Sequence, residues 1–267
     1  MRIAVSGAAG RMGRRIVALG HAHPEIEIAA ALESPGHPSL GRDAGDLAGV
    51  GPLGVLVTDY LTAVLEKCET LVDFSAPHVS VENVKACADA GKAVVVGTTG
   101  FTDAQRKEMS ATGSRTRFLL APNMSMGVNL LFSLVERVAR ALGNNYDVEI
   151  VEAHHKMKKD APSGTAAKLA EIIAHALGRD LSSVGIHGRN GMVGERTSQE
   201  IGIMAVRGGD IVGEHTVMFV TEGERIELIH RAHSRDAFAR GAIQAALWLA
   251  GRPSGVYDMQ DVLGLKE

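Results

Sequence analysis

Apolar and polar positions change their period partway along the chain. Short apolar runs at 2–6 (RIAVS), 26–32, 55–57, 70–74, 93–96 and 118–121 read as strands buried on both faces. Helical spacing predicts helices over 13–20, 79–90 and 102–112, the last opened by Thr102 and Gln105 at capping-box spacing. The glycine-rich stretch 36–54 has weak periodicity and is expected to be loop with little regular structure. Strands alternating with helices of this length predict a parallel sheet with both faces covered.

Beyond Asn123 the pattern differs. A helix is expected over 126–142, a strand over 147–153, then a basic loop and a helix over 164–177. Three strand-like runs follow at 201–207, 214–220 and 225–231, separated by the turn signals Gly208-Gly209-Asp210 and Glu222-Gly223-Glu224. This half predicts an α+β arrangement with a mixed or antiparallel sheet. A last helix over 236–250 stops at Gly251, with Pro253 beyond. The fold class is therefore α/β, a parallel-sheet domain plus a second α+β domain.

Composition narrows the function classes. With 45% hydrophobic and 22% charged residues over 267 positions, the chain suits one large or two modest packed domains. Its 28 basic and 31 acidic residues give a net charge of −3, so no bulk positive field favours nucleic acid. Cys68 and Cys87 have no CxxC spacing and read as small apolar residues in a reducing cytoplasm. The first residues enter a strand at once, with no charged-then-apolar leader. The apolar runs fall far short of the ~18–20 residues that span a bilayer. A soluble cytoplasmic protein, with no nucleic-acid or membrane partner, is the expectation.

The candidate chemistry begins at Gly7-Ala8-Ala9-Gly10-Arg11-Met12-Gly13, between the first strand and first helix. A tight glycine turn there lets backbone approach a pyrophosphate, whose charge suits a helix N-terminus. The spacing is GxxGxxG rather than the usual GxGxxG. Glu33 ends the second strand twenty positions after Gly13, where a carboxylate can accept from adenosine ribose hydroxyls. Gly97-Thr98-Thr99-Gly100 and Ala121-Pro122-Asn123-Met124 also follow strands and can face a ligand at the carboxyl end of a parallel sheet. On their residues alone, an ordinary turn is the simpler reading of each.

The segment 152–165 (EAHHKMKKDAPSGT) is the most informative. Ser163 is placed to cap the following helix, with Gly164 and Thr165 in its first turn. A helix N-terminus with lysines on the preceding loop suits a carboxylate ligand, and histidine can donate a proton near neutrality. A solvated basic loop is the competing reading. A metal site is disfavoured: adjacent histidines on a strand point to opposite faces, and the lysines repel a cation. No aromatic residues interleave to suggest nucleic acid.

These segments, with Arg207-Gly208-Gly209-Asp210-Ile211-Val212-Gly213-Glu214-His215-Thr216, resemble the signatures of the 4-hydroxy-tetrahydrodipicolinate reductase (dihydrodipicolinate reductase) family, over residues 2–263. The resemblance implies a Rossmann-type dinucleotide-binding domain over 1–125. It implies a substrate-binding and oligomerisation domain over 126–235, and a C-terminal helix and tail, 236–267, that return to the first domain. It implies hydride transfer from NADH or NADPH to a cyclic dicarboxylate in lysine and diaminopimelate synthesis, by a homotetramer with no metal. His154 is then the acid, assisted by Lys158. His155, Ser163, Gly164 and Thr165 bind the substrate carboxylates. Gly7, Ala8, Ala9, Gly10, Arg11, Met12, Glu33, Gly97, Thr98, Thr99, Ala121, Pro122, Asn123 and Met124 hold the cofactor.

Two positions depart from the family pattern. Ser34 stands where an arginine that can pair with the NADPH 2′-phosphate is frequent, so NADH preference or dual use is expected, with Arg11 still able to reach the phosphate. Met124 replaces a frequent aromatic beside the nicotinamide, a change that adaptable methionine absorbs. Arg235 and the arginines of loop 189–196 are expected to be structural or solvated. Rival readings are another small amino-acid dehydrogenase, which leaves the 152–165 segment unexplained, and a cofactor-binding redox sensor, which needs no proton donor.

Overall fold

The structure, a computed structural model, describes residues 1–266; residue 267, the end of the expected returning tail, lies outside the described residues. The chain runs β1 (Arg2–Ser6), α1 (Arg11–His21), β2 (Glu27–Leu32), α2 (Ala44–Ala48), β3 (Val57–Thr58), α3 (Leu61–Lys67), β4 (Thr70–Asp73), α4 (Pro77–Asp89), β5 (Ala93–Val96), α5 (Asp103–Gly113) and β6 (Arg117–Leu120). It continues with α6 (Met126–Leu142), β7 (Asp147–His154), α7 (Gly164–Ala176), α8 (Leu181–Val184), β8 (Gly185–Ile186), β9 (Ile201–Arg207), β10 (Gly213–Thr221) and β11 (Glu224–Ala232). It ends in α9 (Asp236–Ala250), β12 (Gly255–Tyr257) and α10 (Met259–Val262). Residue contacts divide it into two compact units, 1–126 with the chain from Arg235 onward, and Gly127–Ser234.

The first unit is a seven-stranded sheet in the order β12-β6-β5-β4-β1-β2-β3, and every pairing is parallel. Both faces are covered, so its strands carry apolar residues at consecutive positions rather than alternate ones. Ile3 and Val5 pack with Ile16, Val17 and the α9 residues Ala242, Ala246 and Leu249. Ala4, between them, turns to the other face with Leu71, Val84, Met109 and Phe118. Each fully buried Val, Leu, Ile, Phe or Met side chain among these contributes roughly 1.5–3 kcal/mol. The chain builds β2 and β3 outward on one side of β1, then returns to add β4 on the other. The turn after β1 therefore lies at the switch point of the sheet, the place where such folds bind ligands.

The second unit is a five-stranded mixed sheet, β11-β10-β7-β9-β8, antiparallel at β11–β10 and β10–β7 and parallel at β7–β9 and β9–β8. Alternate residues of β7 are buried. Val148 and Ile150 pack with Val217 and Phe219 of β10, and with Val135 of α6 and Leu169 and Ile173 of α7. The next two positions on that same face, Glu152 and His154, are buried as well but polar. The site therefore grows out of the end of an aliphatic core.

The stretch expected to be plain loop, 36–54, holds the short helix α2. It persists because the Asp43 carboxylate accepts from four amides, those of Gly45, Asp46, Leu53 and Gly54. α3, α8, β8, β12 and α10 were also not anticipated. Elements of two to seven residues span too little chain to show a period.

Candidate active site

In the first unit, Gly7 takes a positive φ of 75°, and a Cβ there would stand 2.5 Å from the Phe74 carbonyl oxygen. A Cβ on Gly13 would lie 2.1 Å from the Gly7 carbonyl oxygen. Glycine at both ends lets the loop fold tightly onto the start of α1. Gly10 occupies the N-cap of α1 with no side-chain hydrogen bond, so no side chain competes for the amides of its first turn. The Ala9 amide donates to Glu33 Oε1 at 2.8 Å and the Ser34 amide to Oε2 at 3.2 Å, which ties the end of β2 to the glycine loop. Arg11 is exposed and Met12 half-buried at that helix start.

Gly97, after β5, donates its amide to Asp73 O, and the Phe74 ring lies where a Cβ on Gly97 would stand. Thr98 is buried and its hydroxyl has no hydrogen-bond partner, an orphaned polar group at the carboxyl end of a central strand. Thr99 is exposed beside it. Ala121 continues the β6 pairing through its amide to Val96 O, and Asn123 Oδ1 accepts from the Ser125 amide. Pro122 lies between them on the same turn. An uncapped helix start, glycines that admit no side chain, a carboxylate on the neighbouring strand and an unsatisfied hydroxyl fit a dinucleotide. Met124 is 1% exposed and packs in the core with α9, its carbonyl oxygen against Gly241.

In the second unit the polar end of β7 forms a closed network. Glu152, with no exposed area, accepts from both terminal nitrogens of Arg207 at 2.8 Å and from the Ser163 amide at 2.9 Å. His154 Nδ1 lies 2.6 Å from Glu152 Oε2. The His215 ring stands edge-on to His154 with centroids 5.3 Å apart, and its Nε2 is 3.1 Å from Ser163 Oγ. Register explains the meeting: His215 lies opposite Glu152 across β10–β7, and Arg207 opposite His154 across β7–β9.

Burial pushes the Glu152 carboxyl upward, but Arg207, His154 and the Ser163 amide outweigh it and hold it below the usual carboxylate range. Burial lowers the His154 imidazole, and Glu152 opposes that by favouring its charged form. Burial, helped by His154, takes His215 down to about 4.

Ser163 caps the thirteen-residue α7 as expected, its hydroxyl accepting from the Ala166 amide. With that hydroxyl also at His215 and its amide at Glu152, Ser163 is 2% exposed and fully engaged. Gly164 is exposed and Thr165 half-buried at the helix start, and His155 is half-buried on the loop before it. Lys158 Nζ bridges both oxygens of Asp160, at 2.9 and 2.8 Å, so the assisting lysine carries a carboxylate partner. Asp160 is held below its usual range, chiefly by that lysine. Among the described residues, no group of three or more His, Cys, Asp and Glu could hold a metal ion. No helix among them is long and apolar enough to cross a membrane.

Sequence profiles described as dihydrodipicolinate reductase, N-terminus and C-terminus, match residues 1–124 and 127–263. The chain belongs to the dihydrodipicolinate reductase family. Membership makes it a reductase whose first unit binds NAD(P). The 4-hydroxy-tetrahydrodipicolinate reductase of Citrifermentans bemidjiense is 53% identical over 266 residues, covering 100% of both chains. That of Geobacter sulfurreducens is 53% identical over 265 residues, covering 99% of both. A dipicolinate-bound dihydrodipicolinate reductase from Paenisporosarcina sp. TG-14 superposes with a TM-score of 0.75 at 24% identity, covering 98% of both, and supports the fold.

Within this reductase, sequence reasoning passed over Arg207 and His215 as parts of the site. Both lie in the 207–216 segment that carries the resemblance, but their meeting with Glu152 depends on strand order, which no spacing reveals. The loop arginines are structural as expected: Arg189 pairs with Glu149 and Glu200, and Arg196 with Asp147 and Glu149.

Proposed function

We propose that this reductase converts 4-hydroxy-tetrahydrodipicolinate to tetrahydrodipicolinate in lysine and diaminopimelate synthesis, with His154 as the general acid. The names carried by its full-length relatives support the substrate. The observation that carries the acid assignment is the buried Glu152–His154 contact beside the start of α7. The reaction adds one hydride and one proton and releases the 4-hydroxyl as water.

When bound, the reduced nicotinamide supplies the hydride. The loop Gly7, Ala8, Ala9 and Gly10 shapes the cradle for its pyrophosphate, the first-turn amides of Arg11 and Met12 would receive it, and Glu33 would take its adenosine ribose. Thr98, with Gly97 and Thr99, and the turn of Ala121, Pro122, Asn123 and Met124, would line the nicotinamide side. A substrate carboxylate sits on the Gly164 and Thr165 amides, where the helix N-terminus favours an anion. His155 and Lys158 add donors, and Ser163 shapes the helix start. His154 is largely neutral in the free protein at neutral pH, because burial lowers it. A dianion arriving beside it favours the imidazolium, so the proton enters with the substrate. His154 then gives that proton to the ring as electron density grows there.

Ser34 offers no bidentate partner for a 2′-phosphate, and NADH is the favoured cofactor on that ground. The mixed-sheet side that faces away from Val148 and Ile150 carries Val151, Met204, Val206 and Ile229, the last two about half exposed. Such a face supports assembly with further copies, as a homotetramer. A biosynthetic role of this kind puts the enzyme in the cytoplasm.

The test couples the purified protein to a dihydrodipicolinate synthase supplied with pyruvate and aspartate semialdehyde. Oxidation of NADH or NADPH that depends on the synthase is expected. Absence of oxidation with either cofactor would sink the assignment.

A further inference from the structure

Acid catalysis by His154 leaves a buried carboxylate and a buried guanidinium contact unexplained. We propose that Glu152, clamped by Arg207, is the positioning residue for His154: it keeps the proton on Nδ1, so that Nε2 is the nitrogen that gives up and regains the catalytic proton. This inference rests on His154 being the acid.

The period of β7 supplies the first half of the argument. Residues 152 and 154 share the helix-facing side of the strand, which brings Glu152 Oε2 to within 2.6 Å of His154 Nδ1. Arg207 supplies the second half. It faces His154 across the parallel β7–β9 pair and grips both oxygens of Glu152. Its terminal nitrogens also donate to the carbonyls of Val206 and Asp160, both at 2.7 Å, so the guanidinium cannot swing away without losing four contacts. The Ser163 amide takes a further position on Oε1. A carboxylate with a bidentate arginine stays ionised and can only accept, so Nδ1 must donate.

Nε2 is then the free end of the ring, and the space beside it is kept open. Gly213 of β10 lies beside it, where a Cβ would stand 3.0 Å away. His215 braces the ring edge-on and is itself held by Ser163 Oγ.

The charged neighbours come from every strand around the ring. Glu152 draws a proton onto His154, whereas Lys158 on the loop and Arg207 on β9 drive it off. His215 on β10 is neutral at neutral pH, with His230 of β11 opposite it in the same cross-strand row. Asp160 is taken by Lys158. Glu152 is thus the one carboxylate among these groups in contact with the imidazole.

Glu152 could act merely as a brace for the start of α7 through the Ser163 amide. The two roles separate in their readouts. The unmodified enzyme, nitrogen-labelled, would be studied by NMR with the His154 signals assigned by their loss in His154→Ala. Its neutral imidazole is expected to carry the proton on Nδ1, and a proton on Nε2 overturns the proposal. Glu152→Gln is expected to lower kcat about 10²-fold near neutral pH, toward the lower end of what a general acid contributes. Its alkaline limb should move down by about one pH unit, because the anion that favours imidazolium is gone. KM for NADH should stay within about twofold.

An unmoved alkaline limb in a folded Glu152→Gln enzyme overturns the proposal. If that variant does not fold, the tautomer of the unmodified enzyme decides by itself. His154→Ala separates the two layers. Near-normal turnover there defeats the acid reading, and this inference with it. An inactive His154→Ala beside a Glu152→Gln enzyme with the parent's pH profile defeats only the positioning role.

Discussion

Gly213 stands beside His154 Nε2, close enough that a Cβ on the glycine would lie 3.0 Å from that nitrogen. The antiparallel register of β10 on β7 continues from Glu214 opposite Ala153, so the next pair brings these two residues together. Gly213→Ala therefore sets a methyl group against the proposed proton-transfer atom without touching the cofactor residues. A drop in kcat of roughly 10- to 100-fold is expected, since displacement of about 1 Å at a reacting group has that scale. The dissociation constant for NADH, read by fluorescence, should not change. Unaltered kcat would mean that proton transfer does not use Nε2.

His154→Ala removes the proton donor itself. The expected loss in kcat is about 10²- to 10⁴-fold, the range over which general acids contribute. Cofactor binding should persist, because the residues that fit the dinucleotide belong to the first unit. Full turnover in this variant would favour a different acid.

His215 makes stability depend on pH. Its folded-state value is about 4 against an ordinary 6.5, so acid protonates the unfolded chain first. The stability attached to this histidine is complete above about 6.5 and disappears as pH falls toward 4. The full contribution is about 3 kcal/mol. Denaturant midpoints measured across that window should fall more steeply for the parent than for His215→Gln. Parallel slopes would show that His215 titrates normally.

Ser34→Arg tests the cofactor preference. The arginine offers a bidentate partner to a 2′-phosphate, and a charged hydrogen bond is worth about 1.5–3 kcal/mol. The NADPH-to-NADH ratio of kcat/KM should rise about 10- to 100-fold. A parent enzyme that already prefers NADPH would refute the reading of Ser34.

Arg196 pins loop 187–200 to the sheet through Asp147, Glu149 and the carbonyls of Val148 and Glu200. Arg196→Ala should cost about 1–3 kcal/mol in stability, because it strips partners from two carboxylates at once. Its effect on kcat should be small, and a large one would tie this loop to catalysis.

Much of the architecture was legible in the chain because local period reflects which faces are buried. The consecutive apolar residues of β5 announce a parallel sheet covered on both sides, and the alternation along β7 announces a sheet packed on one side. The capping box at Thr102 and the N-cap at Ser163 were equally plain, since each rests on contacts within a few residues. The distant packing partners of Ser163 and Met124 were not. Ser163 reads as the cap of α7, but its second partner, His215, comes from a strand 52 positions later. Met124 follows a strand like a ligand-facing residue, but α9, more than a hundred positions later, comes back to cover it.

The chain by itself determined the two kinds of sheet, the glycine turn at the switch point, the acid after β2 and the histidine–lysine segment ahead of α7. These follow from hydrogen bonds and side-chain periods within one element or between neighbours in sequence. Only the tertiary structure decided that Arg207 and His215 close around Glu152 and His154. Those four residues lie on three strands whose order, β10-β7-β9, does not follow the chain, and their meeting depends on register across that order. A one-residue slip would turn each of them to the opposite face, so the site exists only once the aliphatic core beneath it has locked the register.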